Sequence, residues 1–184
     1  MSDEPLPYPD PPLSDGRIGL RRFDEGDVEC IRLASSDPDI PKATTVPATF
    51  TPAEGLAFIH RQWSRAENGE GVSQVIVEVD SDRAIGLIWV ALRPQRHVGG
   101  LGYWVVPPER GQGVATAAAR LAIPWALVAL DLRRLEAWVE PENLASQRVL
   151  RSAGLQREGR LRNFLTIEDR SSDALVFAVI APER

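Results

Sequence analysis

The chain has 184 residues, of which 43% are hydrophobic and 26% charged, a balance typical of one globular domain with one core. Its 21 basic residues against 26 acidic ones give a formal net charge of −5. This charge argues against nucleic acid as the main partner and is compatible with a cationic or amine-bearing one. The single cysteine, Cys30, excludes an intrachain disulfide and a cysteine metal cluster.

The N-terminal stretch MSDEPLPYPDPP is acidic and rich in proline, unlike a secretory signal. The longest apolar run, from Leu121 to Leu130, is far shorter than the roughly 20 residues that a membrane span needs. We therefore expect a cytoplasmic protein without a membrane partner. Residues 1–16 are expected to form an extended tail, and residues 17–184 one domain.

The first half of the domain is predicted to begin with a strand and a helix. IGLRRF favours a short strand, and Asp24 or Asp27 suits the cap of a helix through VECIRLAS. The next segment, SSDPDIPKATTVPATF, has three prolines and no apolar period. It is expected to be a long loop, and long loops in compact domains are often functional.

A second helix has a complete start signal. Thr51 suits the cap, Pro52 the first turn and Glu54 the capping box. The helix is expected to end near Glu67, with an inward face formed by Leu56, Ile59 and Trp63.

Three strands are predicted next: VSQVIVEVD, the almost wholly apolar AIGLIWVAL, and LGYWVV. A helix should follow from about Gly113 to Leu130, kinked or broken at Pro124. RRLEAWVE is predicted to be a strand, and a helix from about Leu144 to Ser152 should end at Gly154. LQREGRLRNF and ALVFAVIA complete a hairpin. This order predicts a mixed α/β fold with antiparallel pairing and one right-handed parallel crossover.

The segment PPERGQGVAT joins the LGYWVV strand to an apolar helix. Free N–H groups at a helix start bind anions, Gly111 and Gly113 would let a ligand approach the backbone, and Arg110 could add a positive fork for phosphate. The lysine of a Walker loop is absent after Gly113, and a dinucleotide loop would follow the first strand of a βαβ unit. Plain helix capping and the diphosphate of coenzyme A remain as interpretations.

Two blocks of sequence resemble GNAT acetyltransferases. The run from Gly102 to Thr116 resembles their acetyl-CoA motif, Gln/Arg-x-x-Gly-x-Gly/Ala, which Arg110, Gly113 and Ala115 meet. The run PENLASQRVL, followed by Gly-Leu, resembles the subgroup of ribosomal-protein alanine N-acetyltransferases, which carries Asn-x-x-Ser before an apolar helix. The predicted order of elements is similar to the GNAT fold along roughly residues 17–182.

The resemblance implies a mostly antiparallel, twisted sheet that splays between its fourth and fifth strands, with about four flanking helices and a bulge in the fourth strand. The acyl-pantetheine arm of acetyl-CoA would lie in the gap beside the backbone of Val105 and Val106, and the amide near Val106 would polarise the thioester carbonyl. The diphosphate would be held by Arg110, Gly111, Gln112, Gly113, Val114, Ala115 and Thr116.

The resemblance also assigns roles to residues of the PENLASQRVL block. Asn143 would contact the cofactor arm, although a helix cap is an alternative role. Ser146 would protonate the departing thiolate, or simply face solvent in the first turn. No general base is inherited, because the glutamate of related sequences is replaced by Gly100. Glu140, at the end of the fifth strand, is the best remaining choice by location, with Glu136 two residues earlier; a water chain is equally compatible.

We therefore expect an N-acetyltransferase that uses acetyl-CoA and no metal, with direct attack by a primary amine. The acceptor is either a protein N-terminus or a small molecule, and a homodimer is left open. The alternative is a non-catalytic acyl-CoA-binding regulatory module on the same fold. The acceptor pocket is expected around residues 40–50, Trp63, Asn163 and Phe164.

Overall fold

The computed structural model describes residues 5–167 and 169–182, so residues 1–4 of the expected tail lie outside the described residues. Within them, one sheet has eight strands in the order β1-β2-β3-β4-β5-β6-β8-β7. The strands are β1 Leu13–Ser14, β2 Ile18–Arg21, β3 Gly71–Glu78, β4 Ala84–Leu92, β5 Val98–Val105, β6 Arg134–Val139, β7 Gln156–Ile167 and β8 Arg170–Ile180. The α-helices are α1 Val28–Ser35, α2 Ile40–Ala43, α3 Pro52–Glu67, α4 Val114–Ala129 and α5 Leu144–Ser152.

The sheet is mixed, and every neighbouring pair of its strands is antiparallel except β5 and β6. The parallel pair brackets α4, as the predicted crossover requires. The α/β fold class predicted from the sequence is therefore confirmed. None of the helices among the described residues has the length and apolar character to cross a bilayer.

Local sequence signals explain where α3 begins. The Thr51 hydroxyl accepts a hydrogen bond from the Glu54 amide at 3.1 Å, as expected of a cap. The inward face differs from the prediction: Ile59 is fully buried, whereas Leu56 and Trp63 are half-buried. The buried stripe follows the helical period through Gly55, Phe58, Ile59, Gln62 and Ala66.

Two other predictions about helices need correction. The expected long loop at residues 35–50 contains the four-residue helix α2. The Asp37 side chain holds the start of this helix, because it accepts hydrogen bonds from the Asp39 and Ile40 amides at 3.0 and 2.9 Å. Helix α4 continues past Pro124, so of the two outcomes predicted, a kink or a break, the break does not occur.

The sheet opens between β5 and β6. Their parallel pairing covers only Val98 to Gly100, opposite Arg134 to Glu136. Beyond this point β5 stays paired with β4 as far as Val105, and β6 stays paired with β8 as far as Val139. When the short β1 is left out of the count, β5 and β6 are the fourth and fifth strands, so the predicted splay between them is confirmed.

The predicted bulge in the fourth strand is absent from its pairing with β4. The register runs without a shift from Gly86 opposite Val105 to Leu92 opposite Gly99. The opening therefore arises where β6 leaves β5 to follow β8 and needs no extra residue in β5.

Gly102 keeps β5 close to the indole of Trp89 on β4. A Cβ added at Gly102 would lie 2.0 Å from a ring carbon of Trp89. We expect Gly102→Ala to lower the free energy of unfolding by about 1–3 kcal/mol, because the ring must move out of a packed position. Gly159→Ala on β7 is the control, since an added Cβ there meets no atom within 4 Å. Equal denaturant midpoints for the two variants would contradict this prediction.

Candidate active site

A cavity of about 910 Å³ lies at the opening between β5 and β6, a volume in the range of small-ligand sites. One part of its wall comes from the loop after β5 and from the starts of α4 and α5. Another part comes from α2, from Glu140 just after β6, and from Ile167 and Arg170 at the ends of β7 and β8. The wall includes Tyr103, Trp104, Val105, residues 109–111, residues 113–116, Asn143 and Ser146 on the first side, and residues 39–40, residues 42–44, Glu140, Ile167 and Arg170 on the second.

The loop between β5 and α4 exposes backbone N–H groups. Gly111 and Gly113 have positive φ angles of 75° and 77°, a conformation that glycine adopts at no steric cost. An added Cβ would meet nothing within 4 Å at Gly111, and only the Arg17 guanidinium, at 4.0 Å, at Gly113. None of the described side chains caps the first turn of α4, so its amides and the helix dipole favour an anion here.

The Arg110 side chain, predicted to bind phosphate, has two partners within the protein. Its Nε donates to the Val105 carbonyl at 3.0 Å, and its Nη1 pairs with Asp37 Oδ2 at 2.8 Å. The guanidinium is therefore held between β5 and the segment before α2, rather than free to act as a phosphate fork.

The Asp37 side chain is only 5% exposed. Burial would raise its pKa, but the Arg110 guanidinium and the Ile40 and Asp39 amides outweigh burial and leave the pKa below its ordinary value. Asp37 is therefore an ionised carboxylate that holds Arg110 with one oxygen and the start of α2 with the other.

Two predicted cofactor residues lie outside the cavity wall. The Gln112 side chain donates to the Pro108 carbonyl and to Glu109 Oε2, both at 3.3 Å. Val106 is fully buried, and its amide donates to the Ile85 carbonyl at 3.0 Å. The Val106 amide is therefore already engaged and unavailable to a thioester carbonyl.

The N–H groups of Tyr103 and Val105 point the other way. Peptide groups alternate in direction along an antiparallel ladder. Because Val106 bonds to β4, the N–H groups of Val105 and Tyr103 turn toward the side that β6 has left. Tyr103 is a site residue that we did not predict, although the alternation in LGYWVV already puts it on the same face as Val105.

The start of α5 joins β5 through Tyr103. Asn143 caps the helix, because its Oδ1 accepts from the Ser146 amide at 3.0 Å. The Tyr103 hydroxyl donates to the Ser146 carbonyl at 3.3 Å. Burial raises the pKa of Tyr103 to about 12, so the phenol keeps its proton at neutral pH. The half-buried Ser146 thus reaches the cavity wall from a fixed first turn.

Of the two carboxylates considered as bases, only Glu140 lies in the cavity wall. Its Oε1 accepts from Arg170 Nη2 at 2.7 Å. Glu136 accepts instead from Arg134 Nε at 3.0 Å. The Arg93 guanidinium covers Gly100, where an added Cβ would be 2.6 Å from Nη2.

Only some of the residues predicted to form the acceptor pocket line the cavity. Residues 39–40 and 42–44 contribute to it, but Trp63 does not; the Trp63 Nε1 donates to the Phe23 carbonyl at 3.0 Å. From the hairpin, Ile167 and Arg170 line the cavity. Phe164 instead packs edge-on against Trp138, with ring centroids 4.6 Å apart.

The opening in the sheet beside the uncapped start of α4 is the arrangement that the resemblance to GNAT acetyltransferases implies. The family model described as "Acetyltransferase (GNAT) domain" matches residues 17–156, and this chain belongs to that family. The probable N-acetyltransferase YjcK of Bacillus subtilis is 34% identical over 121 residues, which cover 65% of this chain and 67% of that protein.

Solved structures have the same fold. Mycobacterium smegmatis RimJ in complex with CoA-disulfide has a TM-score of 0.77 at 24% identity and covers 92% of this chain and 86% of its own. A structure of a putative ribosomal-protein-serine acetyltransferase from Vibrio cholerae has a TM-score of 0.76 at 22% identity, with 95% and 100% covered. Family and fold together make this protein an acyltransferase of the N-acetyltransferase type.

Proposed function

We propose that this protein transfers the acetyl group of acetyl-CoA to the N-terminal amine of a polypeptide, by direct attack of the amine on the thioester. The observation that carries the proposal is the uncapped start of α4, which opens into a cavity at the split between β5 and β6. A CoA compound bound to the related RimJ structure supports the choice of cofactor.

The residues of the cavity fit the parts of the cofactor. Amides at Gly113 and in the first turn of α4 would hold the diphosphate. The outward N–H and C=O groups of Tyr103 would pair with the pantetheine amides, as an added strand would. The Val105 amide would donate to the thioester oxygen and stabilise negative charge there. Acetyl-CoA supplies an acyl group already activated for attack.

Two side chains would move protons. The Ser146 hydroxyl would donate to the departing thiolate and regain a proton, through water, from the nitrogen of the newly formed amide; with a pKa near 8.5 for an ordinary thiol, the thiolate needs only modest help. Glu140, on the acceptor side, would hold the incoming ammonium and accept its proton directly or through water. An ordinary amine is mostly charged at pH 7 and must lose that proton before attack.

A polypeptide acceptor is supported by the name of one relative, the putative ribosomal N-acetyltransferase YdaF of Bacillus subtilis, which is 29% identical over 83 residues. The acceptor side of the cavity also carries charges of both signs, since Asp39, Lys42, Glu140 and Arg170 line it and Glu140 pairs with Arg170 at 2.7 Å. The carboxylates suit the ammonium group of the acceptor, and the cations suit the carbonyl oxygens of the residues that follow it.

The test is CoA release, followed with a thiol reagent. The only cysteine of the chain, Cys30, is 2% exposed and contributes little background. We expect release to be fastest with peptides that have a free α-amine, slower with spermidine, and absent with the same peptides acetylated at the N-terminus. Release no faster with amine than without it would refute catalysis. If acetyl-CoA still raised the melting midpoint, the non-catalytic acyl-CoA-binding module would replace the enzyme.

A further inference from the structure

The Arg110 guanidinium connects three parts of the site. It donates to the carbonyl of Val105 in the opened part of β5, belongs to the loop that leads to Gly113, and pairs with Asp37 at 2.8 Å. Asp37 in turn accepts from two amides at the start of α2. One buried carboxylate thus joins the acceptor wall formed by α2 to the loop that would hold the cofactor.

We propose that Asp37 is a positioning residue that couples the acceptor wall to the cofactor loop by binding and neutralising Arg110. This inference rests on the function proposed above. Asp37 fixes α2 beside the cavity, because its Oδ1 accepts hydrogen bonds from the Asp39 and Ile40 amides, which have no partner within the helix. It also cancels a positive charge in the cavity wall, beside the loop where the diphosphate would bind.

This arrangement predicts different effects on the binding of the two substrates when Asp37 is replaced. Without the carboxylate, Arg110 keeps its charge beside an anion-binding loop, so acetyl-CoA should bind at least as tightly. The acceptor should bind less well, because α2 loses its connection to β5. General loosening of the fold would weaken the binding of both substrates.

The experiment uses Asp37→Asn, which keeps an oxygen able to accept from the Asp39 and Ile40 amides while removing the charge. We expect kcat/KM for the peptide acceptor to fall roughly tenfold, whereas the Kd for acetyl-CoA stays equal or falls by about two- to fivefold. Glu29→Gln is the control: Glu29 bonds to Arg32 at 2.6 and 2.8 Å on the exposed side of α1, away from the cavity.

A double-mutant cycle with Arg110→Gln tests whether the coupling runs through this pair. Once Arg110 is replaced, adding Asp37→Asn should cost little further acceptor kcat/KM. Full additivity, or a parallel loss of acetyl-CoA and acceptor binding in Asp37→Asn, would overturn the inference. Activity and acetyl-CoA binding in the wild-type protein test the proposed function separately, so the two ideas can fail independently.

Discussion

Replacing Gly113 with valine is expected to abolish acetyl-CoA binding and leave the fold in place. Gly113 has a φ of 77° and ends the loop at the start of α4. A branched side chain would stand where the diphosphate must approach the amides, and the left-handed conformation would cost roughly 1–2 kcal/mol. The wild-type protein should gain about 2.7 kcal/mol of stability at a ligand concentration 100 times Kd. The variant should show no thermal shift.

Gly154→Val is the matched control for backbone strain. Gly154 also has a positive φ, 95°, and an added Cβ there would meet no atom within 4 Å. It lies beyond the C-terminal end of α5, away from the helix starts that face the cavity. This variant should lose similar intrinsic stability but keep its response to acetyl-CoA. A normal shift in Gly113→Val would mean that the diphosphate binds elsewhere.

Ser146→Ala is expected to lower kcat by about 100-fold, with little change in KM for acetyl-CoA, because general acid catalysis typically contributes this much. The serine lies in the first turn of α5, in the cavity wall, and alanine leaves its backbone contacts to Asn143 and Tyr103 intact. The measurement is steady-state kinetics at saturating peptide and acetyl-CoA.

Two further variants make this result interpretable. Ser64→Ala removes an exposed serine from α3 outside the cavity and should leave kcat unchanged. Tyr103→Phe removes only the hydroxyl that fixes the Ser146 carbonyl and should cost less than Ser146→Ala. If Tyr103→Phe costs more, the phenol and not the serine protonates the thiolate.

The order of elements was predictable because it follows local rules, whereas the place of the opening was expected from the resemblance to GNAT acetyltransferases. Alternation, apolar runs and cap residues identify each long helix and every strand except the two-residue β1, which lies in the segment expected to be a tail. Thr51 illustrates this, since its contact with Glu54 is made within one turn. Helix α2 was missed because four residues containing Pro41 carry no period; the Asp37 side chain stabilises its start.

The side chains of the site were harder to predict, because their partners are distant in sequence. Arg110 matches the expected motif, but the motif does not reveal that buried Asp37 binds it. The fate of the Val106 amide depends on the register between β4 and β5, which a single strand cannot disclose. The amide of the preceding residue, Val105, faces the opposite side of the strand.

Three paired residues on each strand are all that join β5 to β6. The sheet therefore consists of two halves joined by a short parallel pairing. Beyond that pairing, β5 and β6 have no neighbouring strand at the gap. A thioester carrier bound there would complete the fold as an extra strand would, so the resistance of this chain to unfolding and proteolysis should rise with the supply of CoA around it. In that sense its lifetime would depend on the abundance of its own cosubstrate.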